Sequence, residues 1–118
     1  MVSDQLVELL RRLSQSGKIG ELKWAIVPTQ EHSVFSAFDA PFSSAVLRIQ
    51  RQDKVIEAPG YTLYLLRGGK VVDAGTDEDF SEKIPDAYTR LENLYATARA
   101  TASGVGDIVS DILSELGG

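Results

Sequence analysis

The sequence predicts an α+β domain: an antiparallel β-meander of four to five strands flanked by an N-terminal helix and C-terminal helices. Three observations carry that expectation. Apolar residues in "DQLVELLRRLSQ" recur at helical spacing, between Glu21 and Gly75 their period drops to two, and after Gly75 helical spacing returns. No helical pattern separates the middle strands, which argues against a parallel βαβ arrangement. At 118 residues, 43% of them hydrophobic, the chain has the size and composition of one domain, 1–118, around one core.

The first element is a helix over residues 3–16. Ser3 is suited to cap it, and Leu6, Leu9, Leu10 and Leu13 fall on one face. Gly17 follows as the residue that leaves a helix most readily. From Glu21, "ELKWAIV" puts Leu22, Trp24 and Ile26 on one side of a strand, and Pro28 ends it. "SVFSAF" (33–38) reads as a second strand, turned by "DAPF" into a third, "SAVLRIQR" (44–51), and a loop containing "EAPG" follows.

"YTLYLLRGGKVVDAG" is the strongest local signal. Its two β-rich runs flank Gly68-Gly69, a loop composition favoured where both central residues need positive φ, so strands 61–67 and 70–75 form a hairpin. A flush two-residue loop pairs Arg67 with Lys70, Leu65 with Val72 and Leu63 with Ala74. Tyr61, Leu63, Leu65, Val72 and Ala74 then share the core face, and Thr62, Tyr64, Leu66, Val71 and Asp73 the other.

Thr76 with Asp79 three residues on matches a capping box with aspartate in place of glutamate. Pro85 suits the first position of a longer helix, 86–102, on which Ala87, Leu91, Leu94, Tyr95, Ala98 and Ala102 mark the buried face. Ser103-Gly104 ends it. A last helix, 107–116, carries a stripe of Ile108, Val109, Ile112, Leu113 and Leu116. At about ten residues it is shorter than the roughly 12–15 at which an isolated helix becomes marginal in water, so it needs a surface. That surface is its own domain by default, a second copy, or a partner.

Charge is distributed unevenly. The net charge is −5, yet residues 48–70 hold five basic side chains against two acidic ones, while residues 71–118 hold three basic and ten acidic. Solvated faces account for this most simply. An acidic helical third also disfavours nucleic acid and membrane surfaces and selects basic partners. There is no cysteine, which removes disulfides and thiolate chemistry and fits a cytoplasmic protein. The start lacks the order of a signal peptide, and the longest apolar runs, "WAIV" and "LYLL", fall far short of a membrane span.

Catalytic signatures are missing. The sequence has no Gly-x-Ser-x-Gly elbow, no His-Glu-x-x-His and no Walker-type glycine loop, and its single histidine, His32, sits in the polar stretch "QEHS". Asp73, Asp77, Glu78, Asp79 and Glu82 cluster, but they lack the alternation and central glycine of a calcium loop and suit a helix N-terminus instead. No catalytic residue, metal site or cofactor is expected.

The second sheet face gains Val46, Arg48 and Gln50 if the third strand lies beside the hairpin. The simplest account is a half-wet antiparallel sheet. Among functional accounts, this mixture of Tyr and Arg with apolar residues matches protein interfaces. Base stacking ranks below, because Tyr64 stands alone where RNA-recognition sheets use several aromatics. The sequence thus points to a small non-enzymatic protein-interaction or regulatory module. A protein partner or self-association uses Arg48, Gln50, Thr62, Tyr64 and Asp73. The alternatives are a binder of an anionic ligand or nucleic acid through the basic hairpin region, and a small enzyme with an unrecognised carboxylate site.

Overall fold

The computed structural model describes residues 2–30, 33–104 and 111–117. His32 and the first part of the expected helix 107–116 lie outside the described residues. Helix α1 spans Asp4–Ser16. The Ser3 hydroxyl accepts from the Leu6 N–H at 3.1 Å and donates to the Asp73 carboxylate, so one side chain caps the helix and ties it to the sheet. Leu6, Val7 and Leu10 are buried, and Gly17 leaves the helix at φ 67°.

The first strand is shorter than expected. Ile19–Glu21 forms a single 3₁₀ turn, and β1 is Ala25–Ile26 only. The cause is Trp24. Its indole N–H donates to the Ile19 carbonyl at 2.9 Å while its ring is buried, which holds the approach to the strand in a turn. Strand β2 is Phe35–Pro41 and β3 is Val46–Gln52, so "DAPF" is mostly strand, a correction to the expected turn. Ala40 is fully buried, Asp39 pairs across to Arg48, and the chain reverses over residues 42–45, where the Phe42 N–H meets the Ala45 carbonyl at 2.8 Å. Pro41 is tolerated because it closes the strand.

Strands β4, Gly60–Arg67, and β5, Lys70–Thr76, form the expected hairpin, with Gly68 and Gly69 at φ 60° and 78°. The pairing is flush at Arg67–Lys70 and Leu66–Val71, then shifts by one residue, so Leu65 faces Asp73 and Leu63 faces Gly75. This overturns the predicted Leu65–Val72 and Leu63–Ala74 pairs. The shift turns Gly75 toward the helices, where a Cβ would sit 2.8 Å from both Phe80 and Val2. It also carries Asp73 to Ser3. Tertiary contacts at the far end of β5 outweigh the local preference for an unbulged ladder.

The five strands form one antiparallel sheet in the order β1-β2-β3-β4-β5. Helix α2 is Asp77–Ser81, opened by a capping box in which Thr76 Oγ1 accepts from the Asp79 N–H and Asp79 accepts from the Thr76 N–H. Helix α3 is Ala87–Ser103, with Asp86 at its N-cap position, so Pro85 precedes the cap and is not the first helical residue. Asp86 turns its carboxylate to Arg90 Nε, 2.9 Å away.

Helix α3 crosses β1 to β4 and α1 contacts β5, all on one side of the sheet. Between the layers lie Leu6, Leu10, Trp24, Phe38, Leu47, Ile49, Leu63, Phe80, Leu91 and Leu94. Burying each such side chain contributes about 1.5–3 kcal/mol. No helix among the described residues is long and apolar enough to cross a membrane.

Candidate functional site

The helices cover one sheet face, and the register assigns the other. Asp39, Arg48, Tyr64 and Ala74 make one cross-strand row. Ala37, Gln50, Thr62 and Thr76 make the row on one side of it, and Pro41, Val46, Leu66 and Val71 the row on the other. Four of the five expected site residues, Arg48, Gln50, Thr62 and Tyr64, are therefore immediate neighbours on β3 and β4.

Asp73 is the exception. The bulge turns it to the helix side, where one carboxylate oxygen accepts from Ser3 and the other from the Ala74 N–H at 2.9 Å. It belongs to the support of α1 and not to the open face. Its place is taken by Asp39, which the sequence hid inside an apparent turn. Asp39 grips Arg48 with two parallel hydrogen bonds, Nε to Oδ1 at 2.7 Å and Nη2 to Oδ2 at 3.0 Å. This bidentate form is the strongest and most directional available to an arginine–carboxylate pair. The bond to Asp39 raises the already high pKa of Arg48 against the opposing effect of burial. The centre of the face is thus a fixed, neutralised ion pair beside a phenol ring.

Around that centre the face is partly dry. Ala37 and Leu66 are 4% and 7% exposed although none of the described helices packs on this face, while Val71 on the edge strand stays open. Arg48, Gln50, Thr62 and Tyr64 are half-buried. The arrangement presents a sheet surface with an apolar border, amide and hydroxyl groups, and one aromatic ring, which suits contact with another surface.

The basic stretch 48–70 does not form one patch. Arg48 is held on the open face, while Arg51 lies on the helix side, 2.8 Å from Asp53 and 5.6 Å from the centre of the Tyr95 ring. Lys54 reaches Glu57 at 3.5 Å in the loop after β3. Arg67 and Lys70 face each other at the opposite end of the sheet. The surplus positive charge is divided between both faces and both ends.

The acidic cluster is likewise engaged with backbone. Asp77 accepts from the Tyr61 N–H at 3.0 Å, and the hydrogen bond from the Thr76 N–H holds the Asp79 carboxyl below its ordinary pKa. Among the described residues no group of three or more potential metal-ligating side chains comes together. Comparison with protein-family models, with curated proteins and with solved structures returns no match for this chain.

Proposed function

We propose that this chain is a small, non-enzymatic protein-interaction or regulatory module that engages a protein partner through the open face of its sheet. One observation carries the reading: a sheet face that none of the described helices covers and that is nonetheless half-dry, built around Tyr64 and the fixed Arg48–Asp39 pair with Gln50 and Thr62 beside them. Such a face keeps its shape without a partner, so association costs little side-chain entropy. Aromatic and arginine side chains at the centre of an apolar border are the composition of interface hot spots. The dispersal of the basic residues weighs against a dedicated polyanion surface. The reading takes the module to be cytoplasmic.

The test is partner capture with the full chain, followed by Tyr64→Ala and Gln50→Glu. Both positions are half-buried on a face that none of the described helices covers, so the variants are expected to keep the parent's thermal unfolding. Binding should weaken at least tenfold, about 1.4 kcal/mol, for Tyr64→Ala. Unchanged binding by both folded variants would remove the proposed face. Salt-sensitive binding to a generic polyanion, undiminished by Tyr64→Ala, would favour the anionic-ligand reading.

A further inference from the structure

On the helix side of the sheet, α3 and the adjoining ends of β3 and β4 border a cavity of about 350 Å³, a volume in the range of small-molecule sites. Arg51 and Tyr61 are cross-strand neighbours beneath it. The Tyr61 ring lies 5.4 Å from that of Tyr88 and 5.7 Å from that of Tyr95, centre to centre. Those two tyrosines use their hydroxyls on the Pro59 carbonyl and on Ser36. Tyr61 is 3% exposed, yet its hydroxyl has no hydrogen-bond partner among the described residues and is not sealed, so its remaining exposure opens on the cavity. A phenol so placed gains by meeting a polar group there. Burial pushes it above its ordinary pKa, and the Glu92 carboxylate nearby adds to this, so the hydroxyl keeps its proton.

Charge around the cavity is balanced but separated. Arg51 Nε is bonded to Asp53 at 2.8 Å, so that pair is neutral. The two groups left are Glu92 and Arg99, both exposed on α3 and neither in a salt bridge among the described residues. Seven residues apart, they share one face of the helix and are separated by about 10 Å along its axis. Ala96 lies between them and leaves the surface there open. A simple anion is repelled by Glu92 and a simple cation by Arg99. A net-neutral molecule with opposite charges at its two ends meets both favourably.

We infer that this cavity binds a small linear zwitterion of the ω-amino acid class. Its carboxylate meets the Arg99 guanidinium, whose fork suits two parallel hydrogen bonds. Its ammonium donates to the Glu92 carboxylate and to the Tyr61 hydroxyl, which thereby gains the partner it lacks within the chain. The apolar chain between the two ends crosses Ala96. The inference does not rest on the sheet-face reading, since Gln50, Thr62 and Tyr64 lie on the other side of the sheet.

The experiment is titration of the full, isotope-labelled chain with ε-aminocaproate, read from backbone amide shifts, with caproate and hexylamine as controls that each carry one of its two charges. The parent should show saturable shifts centred on α3 around Ala96, and each control should bind at least about tenfold more weakly. Glu92→Gln and Arg99→Gln, both at exposed positions, should each weaken ε-aminocaproate by at least about tenfold. The loss should also be selective: Glu92→Gln should no longer favour the zwitterion over caproate, and Arg99→Gln should no longer favour it over hexylamine. Tyr61→Phe keeps the packed ring and the parent's thermal unfolding, and should weaken binding severalfold. No saturable shift in the parent overturns the proposal. So does binding of either control as tight as that of the zwitterion, or an affinity unchanged by any of the three substitutions.

Discussion

Asp39 and Arg48 show how much one pair of side chains decides here. Both are half-buried, and the two hydrogen bonds fix the guanidinium plane against the sheet. Removing one partner strands the other, so Asp39→Ala should lower stability by about 1–2 kcal/mol, read as a fall in the denaturant midpoint. Adding Arg48→Leu should recover part of that loss, because two matched apolar positions no longer leave a buried charge. The alternation of β3 and the hairpin made Arg48, Gln50, Thr62 and Tyr64 legible in the sequence as one set. Asp39 escaped because Asp-Ala-Pro-Phe has turn composition, and only the burial of Ala40 and the reach of Arg48 make it strand. Asp73 was placed on the wrong face for an equally specific reason: nothing local to β5 announces a bulge that Ser3, seventy residues away, helps to hold.

At the scale of elements, the capping box and the bulged strand carry the sharpest expectations. Thr76→Ala should cost about 1 kcal/mol by removing the acceptor for the Asp79 N–H. The Asp79 carboxyl lies below its ordinary pKa in the folded chain, chiefly through the hydrogen bond from the Thr76 backbone. Its stabilisation is therefore complete above the ordinary aspartate value near pH 4 and is lost as pH falls through the depressed one. Asp79→Asn should thus be less stable than the parent at neutral pH, with the gap closing in acid, as acid titration of the melting temperature would show. Gly75→Ala should destabilise by about 1–3 kcal/mol, since its methyl group would meet Phe80 and Val2 at 2.8 Å. Gly68-Gly69 marked the hairpin correctly because positive φ at both positions is a local demand. The length of β1 was not legible, since the pattern of "ELKWAIV" cannot reveal that Trp24 bonds back to Ile19.

Across the whole molecule, a single sheet with its described helices packed on one side leaves two surfaces that differ in kind. The helix side holds the core; the other side holds the ordered, half-dry rows of β2 to β5. The change from helical to alternating period and back was enough to read this layering, whereas the strand order, which creates the rows, depended on long-range pairing. The exposed stripe of residues 112–116 implies that the domain does not need it. A chain ending at Ser110 should keep a cooperative unfolding transition within a few degrees of the parent when both are monomeric. The most direct test of the central claim is site-specific photo-cross-linking in the cell, with the reactive group at Thr62 on the open face or at Ala100 on the helix side. A protein partner captured from Thr62, and lost on adding Tyr64→Ala, is the predicted result. Capture of that partner from Ala100 alone, or from Thr62 undiminished by Tyr64→Ala, would contradict it.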